Sequence, residues 1–213
     1  PIWVATQNKV MADKQIVNNN TYSYEGAILH KQGLGFCGFS KTSVTDVIRS
    51  KTAITEYDPY KLGAVTHVQT DASEGTYQYY FTVAANKKMT LLPTSKTESN
   101  LLTGNTAVTT YSGFDAYGNC GQEVMDLGNG LKTTTTTTYD NITTDIYLLG
   151  LPKTKTVKNE RDGKSITAVQ EFEFYSDNKL HFDRKYVFAG TNKNLLNTSE
   201  YTYFPNYGTL KDQ

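Results

Sequence analysis

Few side chains in this 213-residue sequence carry the chemistry for catalysis or metal binding, and their spacing limits what they can do. His30, His67 and His181 lie far apart and show none of the short spacings that place two imidazoles on one metal, so ordinary strand histidines are expected. Glu171 and Glu173 alternate onto one side of a strand and imitate the carboxylate pair of a glycosidase. Such neighbours are common on a solvated face, and no catalysis is expected of them. Asp115 and Asn119 flank the glycine turn at Gly118 and offer oxygens to a cation, but the regular acidic ladder of a calcium loop is missing. Hydrogen bonds within the turn are the expected use. The only two cysteines, Cys37 and Cys120, have no nucleophile signature around them and fall far short of a disulfide framework. One disulfide between them is possible, but their apolar or glycine-rich neighbours favour free, buried thiols that serve as small hydrophobes. Gly33, Gly35 and Gly38 precede no helical pattern, which argues against a phosphate-binding loop. No catalytic residue, cofactor or metal is assigned, and the expectation is a protein that is not an enzyme.

The elements that carry these residues read as strands. An aromatic-plus-turn unit recurs at Phe114-Asp115-Ala116-Tyr117-Gly118-Asn119, at Phe174-Tyr175-Ser176-Asp177-Asn178-Lys179-Leu180 and at Tyr203-Phe204-Pro205-Asn206-Tyr207-Gly208-Thr209-Leu210. In each, rings end a strand-like run and are followed by Asp, Asn or Gly, which tolerate the left-handed backbone of tight turns. Gly128-Asn129-Gly130 and Asp162-Gly163 are hairpin signals. Thr133–Thr138 is an unbroken threonine run, read as a strand because β-branched hydroxyl side chains pair well across a sheet. In the strand after Asp162-Gly163, Phe172 and Phe174 oppose Glu171 and Glu173. In the next, Leu180, Phe182, Tyr186 and Phe188 oppose His181, Asp183 and Lys185. That alternation predicts an antiparallel sheet wetted on one side. Asn18-Asn19-Asn20 reads as a loop, residues 8–17 carry a faint helical period, and Leu148–Pro152 reads as a break between strands.

Bulk composition narrows the function classes. Charge balances at 21 basic and 21 acidic residues, which argues against a nucleic-acid binder. No run approaches the ~20 apolar residues of a membrane helix. Sixteen Tyr, nine Phe and 32 Thr are an excess of strand formers. A compact domain of this length would bury roughly 70% of its extended-chain surface without staples. The expected fold is all-β, with successive antiparallel β-hairpins forming a large twisted or curled meander sheet. It is read as one segment over residues 1–213, divisible at 1–105 and 106–213. The start at Pro1 and repeat units reaching the C-terminal edge predict an excerpt from a longer polypeptide.

Gly26–His30 followed by Gly33-Leu34-Gly35-Phe36-Cys37-Gly38-Phe39 and Asp46 resembles the G-x-G-F-x-G-F segment of the Rhs/YD-repeat superfamily. Phe114-Asp115-Ala116-Tyr117-Gly118-Asn119, Asp126–Gly130, Tyr139-Asp140-Asn141 and Gly150-Leu151-Pro152 resemble, in order and spacing, the segment that follows. The nearest patterns are those of Tc insecticidal toxin B components and plasmid-virulence B-like proteins. The likeness spans roughly residues 22–210. It implies a sheet that spirals into a hollow wall on a secreted or cell-surface protein. Its partners would be flanking repeats of the parent chain and an enclosed or displayed domain. The self-cleavage segment of some members has no counterpart here. The alternative reading, drawn from the many tyrosines, is a carbohydrate-binding or adhesin-type surface whose rings stack on glycans.

Overall fold

In a computed structural model, residues 2–30, 33–144, 147–177, 179–189, 191–205 and 208–213 are described. Strands make up most of the described backbone. Among the described residues, fourteen strands succeed one another antiparallel, in sheet order identical to chain order and without a crossover. The fold is therefore all-β, an unclosed meander of hairpins. The chain divides into two compact units, residues 1–108 and 109–213.

The first unit holds β1 (Gln7–Ala12), β2 (Gln15–His30), β3 (Gly35–Asp46), β4 (Lys51–Asp58), β5 (Ala64–Gln69), β6 (Ser73–Val83) and β7 (Met89–Asn100). A 3-10 turn, Pro59–Lys61, links β4 to β5. Strand β8 (Thr106–Ser112) begins in this unit and ends in the next. The second unit holds β9 (Gln122–Asp126), β10 (Leu131–Ile142), β11 (Leu148–Arg161), β12 (Lys164–Phe174), β13 (Leu180–Ala189) and β14 (Asn192–Glu200). A separate two-stranded ribbon, β15 (Thr202–Tyr203) and β16 (Leu210–Asp212), follows.

Local chemistry explains the turns. A carboxylate or amide at a strand end repeatedly accepts the N–H two residues on. Asp46 bonds Ile48, Asp58 bonds Tyr60, Asn100 bonds Leu102 and Asp126 bonds Gly128. This side-chain imitation of a backbone turn is the use to which Asp and Asn are suited. Asp162 and Gly163 take φ of 49° and 76°, the left-handed pair that a two-residue hairpin requires. Asn178, Asn206 and Tyr207, which belong to the recurring turn unit, lie outside the described residues.

A second regularity is visible only in the register. Six hairpins place an aromatic on the turn side of a one-residue bulge in the returning strand. The pairs are Tyr57–Val65, Tyr79–Pro93, Tyr139–Pro152, Phe174–Leu180, Tyr186–Leu195 and Tyr203–Leu210. A bulge sharpens the local twist and re-aims the side chains beyond it. It also gives a proline, which lacks an N–H, a tolerable place inside a sheet.

Several expectations need correction. Asn18–Asn20 are not a loop: they pair with Lys9, Asn8 and Val10 on one side, and Asn20 pairs with Asp46 on the other. Cross-strand pairing overrides the turn preference of asparagine. Residues 8–17 form β1, a tight turn and the start of β2, with no helix. Leu148–Pro152 open β11 instead of breaking the chain, because the bulges there absorb Gly150 and Pro152. Leu180 pairs with Phe174 while Phe182 pairs with Glu173, so the bulge at His181 sends Leu180 and Phe182 to opposite faces. His181 lies 3.7 Å from Glu173 and shares the face of Phe182, not the opposite one.

The sheet is also not wetted on one side only. Phe182, Tyr186 and Phe188 share their face with Glu171 and Glu173, so rings and charges are mixed. Among the described residues, the buried apolar side chains are Ala64, 8% exposed, and Pro59. The chain exposes 14398 Å², against about 9,900 Å² for one compact domain or about 11,900 Å² for two compact halves. About 58% of the extended-chain surface is covered, short of the 70% of a globular domain. The physical reason is that, among the described residues of each unit, strands pack mainly against their sequence neighbours. Stability is then spread over cross-strand pairs of roughly 0.2–1 kcal/mol each. Thr138 and Thr154, whose hydroxyls are 2.7 Å apart, form one such pair.

Candidate functional site

The motif residues of the second unit converge on one polar knot. Asp115 ends an irregular stretch after β8, and its Oδ1 accepts the N–H groups of Tyr117 and Asn119, both at 2.9 Å. Backbone bonds from Asp115 N to Asn119 O, 3.0 Å, and from Gly118 N to Asp115 O, 3.1 Å, close the turn. Asp115 Oδ2 accepts Nδ2 of Asn119 at 2.9 Å and Nδ2 of Asn141 at 2.8 Å. Asn141 Oδ1 in turn accepts Nδ2 of Asn119 at 3.1 Å and the N–H of Gly150 at 2.9 Å. Four donors on one carboxylate, with the Asn119 amide foremost, hold the Asp115 carboxyl down to about 2. Gly150 has φ of 77°, and a Cβ there would stand 2.8 Å from Asn119 Oδ1. Only glycine fits.

The neighbours of the knot complete a splice between sequence-distant segments. The Tyr139 hydroxyl donates to Cys120 O at 3.1 Å. Asp140, which pairs with Leu151, reaches the Lys153 ammonium at 3.4 Å. Pro152 lies opposite Tyr139. Phe114 is half-buried, and Tyr117 stands exposed at the tip. Asn141 completes the knot, a role that its place in the Tyr139-Asp140-Asn141 motif did not assign. Its one signal is its place directly after Tyr139-Asp140.

The glycine-aromatic segment of the first unit builds something different. Gly33 lies in the turn, and Gly35, Phe36, Gly38 and Phe39 lie in β3. Ile28 pairs with Gly38 and Leu29 with Phe36, which leaves Cys37 as the unpaired bulge residue. The bulge turns Phe36 and Phe39, three apart in sequence, toward each other. Their rings meet edge to face at 5.3 Å, and Tyr24 packs on Phe39 at 5.0 Å. An apolar groove of about 410 Å³ adjoins them, lined by Phe36, Tyr60, Leu62, Phe81, Val83 and Met89. The second unit carries a groove of about 450 Å³ that is polar by comparison, with Glu123, Thr137, Tyr139, Lys155, Gln170 and Phe172.

The remaining candidates do not assemble into a reacting centre. His67 sits between Glu74, 3.0 Å, and Glu56, 3.9 Å. His181 sits between Glu200, 3.5 Å, and Glu173, 3.7 Å, and stacks on Tyr175 at 4.0 Å. Glu171 is bonded to Lys193, whose ammonium holds its carboxyl below the usual range, and Glu173 accepts from Arg184 at 2.9 Å. Each carboxylate thus has its own cationic partner. Cys37 and Cys120 are free thiols, half-buried where full burial was expected. Among the described residues, no three His, Cys, Asp or Glu side chains are placed to hold a metal, and no helix is long and apolar enough to cross a membrane.

An unclosed antiparallel meander with bulged hairpins defines a fold class, and a solved structure shares it. The crystal structure of TcdB2-TccC3 without its hypervariable C-terminal region superposes with a TM-score of 0.63 over 81% of this chain, at 8% sequence identity. The match spans 15% of that structure's chain, and the likeness is one of fold. No family model and no curated protein sequence matches.

Proposed function

We propose that this chain is a non-enzymatic wall segment of a larger β-shell of the Rhs/YD-repeat type, on a secreted or cell-surface protein. The observation that carries the reading is a strand meander with almost no core of its own. Apolar side chains such as Leu29, Tyr60, Leu102 and Tyr147 stand more than 65% exposed. Exposed apolar surface on this scale marks a face that another body covers. The fold shared with part of TcdB2-TccC3, in the Tc toxin group that the motifs resemble, supports the same reading. The wall would extend through flanking repeats and enclose or display a passenger domain. The knot at Asp115 would fasten successive hairpins of that wall.

Cross-linking mass spectrometry on the intact polypeptide that contains this chain tests the proposal. Links from residues of both units to a separate domain are expected. Absence of such links, together with specific binding on a glycan array that Tyr60→Ala or Tyr80→Ala abolishes, would overturn it in favour of a glycan-binding surface.

A further inference from the structure

The groove of the second unit lies over β9 to β12 and has a volume of about 450 Å³. That falls within the roughly 300–1,000 Å³ of sites that hold small molecules. Three rungs of the sheet build it. Glu123 pairs with Thr135 in the first, and Thr137, Lys155 and Gln170 form the second. Tyr139 pairs with Pro152 in the third. Phe172 lies two residues beyond Gln170, on the same face of β12.

The polar groups of this groove are left open to a ligand. Among the described residues, no partner bonds the side chains of Glu123, Thr135, Thr137 or Lys155. Lys153 and Lys158, on the same strand as Lys155, are both in ion pairs. Gln170 is held in one orientation. Its Nε2 donates to Asp183 Oδ1 at 2.8 Å, and Asp183 is buried, 7% exposed. A carboxylate only accepts, so this bond fixes the amide and leaves its Oε1 as an acceptor turned away from Asp183. Lys155, directly opposite Gln170, supplies a donor. A donor beside an acceptor is what neighbouring hydroxyls of a sugar ring require, since each hydroxyl both gives and takes a hydrogen bond. Half-buried Phe172, with Pro152 and Tyr139, adds an apolar shelf for the C–H face of such a ring. The Tyr139 hydroxyl already donates to Cys120 O, which fixes that ring in place. The apolar groove of the first unit has no amide, carboxylate or ammonium in its lining.

We propose that this groove binds a neutral saccharide, with one pyranose ring laid on Phe172 and its neighbouring hydroxyls shared between Lys155 and Gln170. Thr137, beside Lys155 in the same rung, takes a further hydroxyl. The site is separate from Tyr60 and Tyr80, the exposed tyrosines of the first unit on which a glycan-binding surface would rest. The inference goes beyond the wall reading and stands without it.

Amide correlation spectra of the purified chain, titrated with the methyl pyranosides of glucose, galactose, mannose and N-acetylglucosamine, test it. At least one should bind in the millimolar range, as a single ring held by few groups does. The amides of Thr137, Lys155, Gln170 and Phe172 should shift, and saturation transfer should be strongest to the C–H protons of one sugar face. Lys155→Met keeps the exposed stem, removes the donor and should weaken binding about tenfold. Gln170→Ala should do the same, while Phe81→Ala in the apolar groove should change nothing. Acetate, a probe for simple attraction of anions to Lys155, should leave the four amides in place. No shift at these residues well above millimolar sugar, shifts centred on Phe81 and Met89, equal shifts from acetate, or an affinity indifferent to Lys155→Met would overturn the proposal.

Discussion

The hairpins β6–β7 and β10–β11, one in each unit, share a backbone device and differ in what fastens it. Both set a tyrosine against a proline at a one-residue bulge, Tyr79 against Pro93 and Tyr139 against Pro152. Two residues further toward the turn the chemistry diverges. The first hairpin pairs Phe81 with Leu91, beside the apolar groove. In the second, Asn141 and Gly150 occupy those places and join the Asp115 knot. Burial pushes the Tyr79 hydroxyl up, while hydrogen bonds pull the Asp115 carboxyl down. One bulged hairpin can thus be closed by rings or by a polar network. The polar version reaches back to a turn 26 residues upstream, which the apolar version does not.

Acid should separate the two hairpins most sharply. The Asp115 carboxyl is held at about 2 in the folded chain, below the ordinary aspartate value of 3.8. Its contribution is therefore complete above the ordinary carboxylate range and lost as pH falls from about 4 toward 2. Amide resonances of Tyr117, Asn119 and Gly150 should shift together over that window. Those of Phe81 and Leu91 should not, because residues 79–93 contain no carboxylate. Asn141→Ala removes two acceptor bonds and one donor bond from half-buried positions and should cost about 2–3 kcal/mol in chemical denaturation. Phe81→Ala in the other hairpin should cost about 1 kcal/mol, the share of a half-buried ring.

Gly150→Ala sharpens the contrast from the backbone side. The left-handed φ and the close Asn119 oxygen predict a loss of about 1–3 kcal/mol, read as a lower Tm with the Asn119 and Asn141 amide side chains released. The smallest effect belongs to what the hairpins share. Pro93→Ala and Pro152→Ala should each cost about 0.5 kcal/mol, mainly by freeing the unfolded chain. A large difference between those two would show that the bulges are not equivalent.

Strands and turns were legible in the sequence because their chemistry is local. Asp162-Gly163 declares its own backbone angles, and the threonine run declares a pleated surface. Asn18–Asn20 were misread because partners on both neighbouring strands, invisible from the segment alone, decide their conformation. The faces of β13 were misread for a sharper reason. Alternation assumes an unbroken period of two, and a single skipped residue at His181 reverses the parity of everything before it. The knot was half legible. Asp115, Asn119 and Gly150 stand out as turn residues, but Asn141 gains its role only when three segments meet.

Hydroxyl-radical footprinting of the purified chain and of the intact polypeptide that contains it would test the wall account most directly. In the purified chain Leu29, Tyr60, Tyr80, Leu102 and Tyr147 should label strongly, as their exposure requires. In the intact polypeptide those of them that lie on the covered face should become protected. Weak labelling of all five in the purified chain, or identical labelling in both forms, would contradict it.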